Sequence, residues 1–156
     1  MEIKTIKVEE FFETLRGAKV TGLDGQSKFC VVKILRKLRP VIDDIRAFRA
    51  DAVDKFKPEN WDETLKKFQG LSRGEITLSQ DESEETIKDV FTFDSKIKNL
   101  VVEEFGEIIH IDVQAISEES FEGILAFNDW DSNVALLMAD TLLPENSESE
   151  SSESEK

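Results

Sequence analysis

The feature that most limits what this chain can become is an apolar stripe from Gln26 to Phe56. Val31, Leu35, Leu38, Ile42 and Ile45 recur at alternating steps of four and three, and the same count continues through Arg49, Ala52 and Phe56. Apolar residues at that spacing keep to one side of an α-helix, and such a side is a surface for packing against other helices. Pro40 falls inside the run. It has no N–H for the carbonyl one turn back, and its ring crowds that carbonyl, so a kink is expected. The apolar phase nevertheless passes from Leu38 to Ile42, which predicts one bent arm.

A second long helix reads over Glu84–Phe105, with Ile87, Val90, Phe91, Ile97, Leu100 and Val101 on its apolar side and Gly106 as its stop. Two helices of matching length predict a hairpin between residues 27–57 and 84–105. Arg49 and Asp94 interrupt its two seams, either pairing across it or standing as solvated rim groups. Burying five or six such side chains at about 1.5–3 kcal/mol each would hold the hairpin together before entropy costs.

The remaining elements are shorter. Glu2–Val8 alternates and reads as an edge strand with Lys4, Ile6 and Val8 on one side; a brief helix over Glu9–Leu15 turns Phe11, Phe12 and Leu15 inward. Gly22 and Gly25 mark a loop, and Ser27 is placed to cap the long helix. Asn60 with Glu63 has the spacing of a capping box for a helix carrying Trp61, Leu65 and Phe68. Glu107–Val113 is the clearest strand, with Ile109, Ile111 and Val113 on one face and Ile108, His110 and Asp112 on the other. Ser117 caps a helix that buries Phe121, Ile124 and Leu125. A last helix near Asp131–Leu143 turns Val134, Leu137, Met138 and Leu142 inward. Pairing the two strands would set Lys4 and Lys7 against Glu107 and Asp112.

The expected fold class is therefore α+β and helix-rich: a bent two-helix hairpin, a small two- to three-stranded sheet and C-terminal helices. A single domain is expected over residues 1–144. Residues 145–156 are a Ser/Glu repeat without an apolar side chain, the composition of a disordered tail.

Charge is unevenly placed. Residues 1–72 carry 15 Lys/Arg against 12 Asp/Glu, and residues 73–156 carry 5 against 22, within a total of −14. No apolar run approaches the roughly 20 residues that span a bilayer. The opening residues lack a signal-peptide layout, and the single Cys30 cannot form an intrachain disulfide. A cytoplasmic home is expected, with no membrane role. Cys30, between Phe29 and Val31, reads as a small buried apolar residue.

Chemistry is harder to find. His110 and Asp112 share a strand face, but a metal site needs three or four donors, and no HExxH, CxxC or DxDxDG pattern completes one. A Cys30–His110 nucleophile has no flanking motif to support it. Glu103, Glu104 and Glu107 read as a solvated face, and the Gly pairs at 22/25 and 70/74 lack the Lys-Ser/Thr of a phosphate loop. No enzyme and no cofactor are expected. One cluster stands out: Lys33, Arg36, Lys37 and Arg39 crowd the first half of the long helix, with Lys28 a turn earlier. They form the candidate interaction surface. Overall acidity and the lack of interleaved aromatics argue against nucleic acid as its partner.

The arm KFCVVKILRKLRPVIDDIRAFRADAVDKFKPE, the strand ending IHIDV and the FNDW turn into a terminal helix are similar to those of a group of small proteins of unassigned function. These are encoded by tailed bacteriophages and by prophages of Bacteroides-like bacteria. The resemblance covers most of residues 1–143. It implies a phage accessory or structural protein, resident in the host cytoplasm or the virion, and supplies no active residues. The expected function is non-enzymatic interaction with a phage structural or host protein in virion assembly. The alternative is an acidic regulator of nucleic-acid-binding machinery, either as a DNA mimic or as a weak binder through Lys33–Arg39.

Overall fold

A computed structural model describes residues 1–144. The tail expected over residues 145–156 lies outside the described residues. The chain is α+β and mostly helical: strand β1 (Glu2–Lys4), a 3-10 turn (Thr5–Lys7), α1 (Val8–Gly17), α2 (Gly25–Phe56), α3 (Trp61–Ser72), α4 (Gln80–Phe105), β2 (Ile108–His110), α5 (Glu118–Phe127) and α6 (Ser132–Leu142). Among the described residues no helix is long and apolar enough to cross a membrane.

The residues gather into two compact units, one made of Met1–Pro40 with the chain from Ile109 onward, the other of Val41–Ile108. Helix α2 gives its first half to one unit and its second half to the other. It passes through Pro40 as a single helix. Pro40 is exposed, so the Arg36 carbonyl that it leaves without a helical donor lies on the side open to solvent, where it is least costly.

The first unit is built around the upper half of α2. Its fully buried side chains are Val8, Phe11 and Leu15 of α1, Ile34 and Leu38 of α2, Ile124 of α5, and Met138 and Leu142 of α6. Each stabilises the fold by about 1.5–3 kcal/mol. Ile34, which lies beside the expected stripe, is fully buried, and the expected Leu35 is only partly so. Neighbouring positions on a helix differ by about 100°, so a stripe read from spacing alone can be off by one residue.

The two-stranded sheet is antiparallel. The Met1 ammonium donates to the Ile111 carbonyl (3.1 Å) and the Ile111 N–H donates back to the Met1 carbonyl (2.9 Å). That register sets Ile3 opposite Ile109, both buried, and Glu2 opposite His110. The second strand spans Ile108–His110 rather than the expected Glu107–Val113, and its facing is as expected, with Ile109 and Ile111 buried and Ile108, His110 and Asp112 exposed. The first strand is shorter than expected and its facing is reversed: Ile3 and Thr5 are buried and Ile6 is exposed. The 3-10 turn breaks the alternation, so Val8 enters the core as part of α1. The expected pairs of Lys4 and Lys7 with Glu107 and Asp112 do not form; Lys7 bonds Glu10 and Asp112 meets Lys37.

Polar caps fasten this unit. Asp24, not Ser27, is the acceptor that caps α2, taking the N–H groups of Gln26 (2.7 Å) and Ser27 (3.0 Å) and the Ser27 hydroxyl (2.7 Å). The Ser27 and Ser120 hydroxyls then join at 2.7 Å, and Ser117 caps α5 as expected through the Ser120 N–H. Asn128 clamps the loop after α1. Its Oδ1 accepts the Lys19 N–H (2.8 Å), and its Nδ2 donates to the carbonyls of Lys19 (3.0 Å) and Ile124 (2.7 Å).

The second unit holds three helices: the lower half of α2, α3 and α4. Phe48 meets Phe105 edge-on with centroids 5.7 Å apart, and Ala52 packs with Phe93 and Ile97. Chain direction therefore reverses between α2 and α4, and the hairpin exists, though only Val41–Phe56 of the arm belongs to it. The expected capping box at Asn60 does not form: the Asn60 side chain makes no cap bond, and the Thr64 hydroxyl bonds the Asn60 carbonyl instead. The box is at Ser79 and Glu82, so α4 starts at Gln80, four residues before the expected Glu84. At the end of α3, Gly74 sits at φ 67°, where a side chain would be strained. The Glu75 and Gly74 N–H groups there close onto the Gly70 and Leu71 carbonyls, the bonding of a Schellman stop.

Candidate interaction site

Two surfaces carry side chains that a partner could use, one in each unit. In the second unit, α2, α3 and α4 enclose an open groove of about 370 Å³. Helix α2 contributes Arg49 and Val53, α3 contributes Trp61, Leu65 and Phe68, and α4 contributes Val90, Phe91, Phe93, Asp94 and Ile97. The helical periods explain the set. Trp61, Leu65 and Phe68 follow one another at four and three residues along one side of α3. On α4, Phe93 and Ile97 turn inward, while Ile87 and Phe91 form a second apolar stripe one residue step away.

The aromatic residues of the groove pair with one another. Trp61 lies against Phe93 with ring centroids 4.3 Å apart, and Phe68 meets Phe91 edge-on at 6.4 Å. Phe91 nonetheless keeps 60% of its surface exposed. The Trp61–Phe93 pair is also shared with a second hollow of about 320 Å³, lined in addition by Phe56, Asn60, Thr64 and Lys96. There the Lys96 ammonium stands 4.6 Å from the centre of the Phe56 ring, a cation–π contact. Arg49 and Asp94, the two interruptions of the apolar seams, both line the first groove, and Asp94 is bonded to Lys98 at 2.6 Å.

The expected interaction surface lies in the first unit. Lys33, Arg36, Lys37 and Arg39 are all exposed on α2 before Pro40. The structure brings Lys37 to Asp112, where its ammonium bonds the backbone carbonyl and sits 3.5 Å from the carboxylate. Lys33 shares a small hollow of about 150 Å³ with Phe29, the half-buried Cys30, Val113 and Gln114. His110 is exposed, and its Nδ1 is 2.9 Å from a Glu2 carboxylate oxygen. Among the described residues no three His, Cys, Asp or Glu side chains converge on a point.

Two carboxylates have altered acidity, and both are helix caps. The Ser27 hydroxyl and N–H hold the Asp24 carboxyl below its ordinary value of 3.8. The Ser79 hydroxyl and N–H do the same for Glu82 relative to 4.5. These are structural carboxylates, stabilised in the charged form by donors at a helix start.

Reading the sequence alone missed the groove. The available signal was the surplus of apolar residues on α4: Ile87 and Phe91 cannot share an inner face with Phe93 and Ile97, so one pair had to face outward. No family model, curated protein or solved structure matches this chain.

Proposed function

We propose that this is a non-enzymatic interaction protein of phage or prophage origin that takes part in particle assembly. It docks an amphipathic helix of a phage structural protein into the groove between α3 and α4. The observation that carries this reading is the groove itself: an open apolar cleft of about 370 Å³, with the large side chain of Phe91 left 60% exposed at its edge. Helix-in-groove recognition uses apolar anchors at positions i, i+3 or i+4, and i+7, and rings spaced along two helices suit it. Arg49 and Asp94 supply both signs of charge within the lining, which favours one orientation of the incoming helix. The protein acts in the bacterial host cytoplasm or as a virion component.

The test is co-assembly. Particles and assembly intermediates purified by density gradient from a producing host should contain the wild-type chain and lose it when Phe91→Asp is introduced, with helix content by circular dichroism unchanged. A chain found in neither fraction, and unable to bind any purified particle protein, sinks the reading.

A further inference from the structure

We propose that the outer face of α2 before Pro40 is a docking site for an acidic Ser/Glu-rich segment, and that its occupant is residues 145–156 of the same chain. From Lys28 to Arg39 the helix carries five basic residues and no acidic one. At about 100° per residue, Lys28, Phe29, Val32, Lys33, Arg36 and Arg39 fall within an arc of roughly 140°, opposite the side that buries Val31, Ile34 and Leu38. All six are exposed, Phe29 by 64% and Val32 by 50%. Lys37, at the border of the arc, is already bonded to Asp112. The other four cations make no ion pair among the described residues. In a chain of net charge −14, an uncompensated basic stripe is where an anionic segment collects.

Charge and reach both select the occupant. Residues 145–156 hold Glu145, Glu148, Glu150, Glu153 and Glu155 against the single Lys156. The Ile116 N–H bonds the Leu142 carbonyl at 2.9 Å, and two to three residues earlier Gln114 and Val113 line the hollow that contains Phe29 and Lys33. At 3.8 Å between successive Cα atoms, the end of α6 is therefore within about 20 Å of the basic face, whereas twelve extended residues reach roughly 40 Å. A short tether gives the contact an effective concentration in the millimolar range, so that ion pairs weak one by one act together. The pairs remain at the surface, and added salt loosens them. A different anionic partner reaches this face only by displacing the segment.

Competition by a peptide in trans tests this. A fluorescent peptide of residues 145–156 is titrated at about 50 mM NaCl into the full-length chain. It is also titrated into a full-length chain in which all five of those glutamates are changed to glutamine. The neutralised chain should bind the peptide about tenfold more tightly, because the site is vacated. Adding Lys33→Glu with Arg36→Glu to that chain should remove the binding, with helix content unchanged, and about 500 mM NaCl should do the same. Equal peptide affinity for the two chains, or no effect of Lys33→Glu/Arg36→Glu, overturns the proposal. So does preferential binding of a single-stranded oligonucleotide over the peptide, which would make the face a phosphate-binding surface.

Discussion

The two units spend their aromatic residues differently. In the first, Phe11, Phe12 and Phe121 are buried among three helices, a sheet and the upper half of α2, and Phe29 and Phe127 stay exposed; in the second, Phe93 is the one buried aromatic, while Phe48, Trp61 and Phe68 are half-covered and Phe56 and Phe91 exposed. Geometry accounts for the contrast. Helices and a sheet placed around α2 enclose a volume, and side chains pointing into it are covered from every direction. Three helices alone meet along lines, and a small body has too little interior to cover all its apolar surface. The second unit holds its fold with the buried Ile42, Ile45, Ile97 and Val101 together with ring-on-ring contacts, and leaves the groove open.

That contrast is sharpest in the response to truncation. Phe11→Ala in the first unit should cost about 3–5 kcal/mol and Leu38→Ala about 2–5, measured by urea unfolding, because each leaves a cavity in an enclosed core. Phe91→Ala should cost only about 1 kcal/mol, the worth of its edge-on contact with Phe68, because the rest of the ring is exposed. A Phe91→Ala cost as large as that of Phe11→Ala would mean that the groove is part of a core and would dissolve the contrast.

Smaller effects separate the fastenings. Asn128→Asp keeps the acceptor for Lys19 but removes both donors to backbone carbonyls, and should destabilise the first unit by about 1–3 kcal/mol, seen as a lower urea midpoint at unchanged slope. Ser79→Ala, at the start of α4, should cost about 1 kcal/mol. Faster amide exchange should then be confined to the first turn of α4, with the first unit untouched.

The smallest effect is acid sensitivity. Asp24 and Glu82 have carboxyls depressed in the folded state below 3.8 and 4.5. Their contribution is fully present above those ordinary values and is lost as pH falls through the lower folded ones, since protonation removes the charge that the caps hold. Thermal unfolding followed from about pH 5 downward should show this loss, and Asp24→Asn should flatten the part that belongs to α2. An unchanged acid profile in that variant would remove Asp24 from the account.

Much of the fold is local and was readable as such. Gly106 ends α4 with φ at 83° and its N–H on the Val102 carbonyl, and Ser117 with two following glutamates opens α5; both obey rules that involve only neighbouring residues. The α2 helix runs from Gly25 to Phe56, within a residue of its apolar period, because 32 residues of consistent phase outweigh one proline on the solvent side. Ser79-Gln-Asp-Glu82 has the same capping-box spacing as Asn60 and Glu63, and only its side chains make the cap bonds; the Asn60 side chain makes none. Of the expected interaction surface, exposure followed from position opposite the stripe. That Lys37 is drawn off to Asp112 did not, since the two are 75 residues apart in sequence.

By itself, then, the sequence determined where the helices run, where most of them stop, which strand face is apolar and where charge is concentrated, because each depends on the next three or four residues. Tertiary structure decided which of several neighbouring residues is inside: Ile34 over Leu35, Phe93 over Phe91, Ile3 and Thr5 over Ile6. It also divided one continuous helix between two units at Pro40. An apolar stripe specifies that a side must be covered but not by what, and only the packing partner sets its centre and its width. The groove on α3 and α4 is one part of the apolar surface that remains after those choices are made; Phe29, Val32, Phe127 and Leu136 are others.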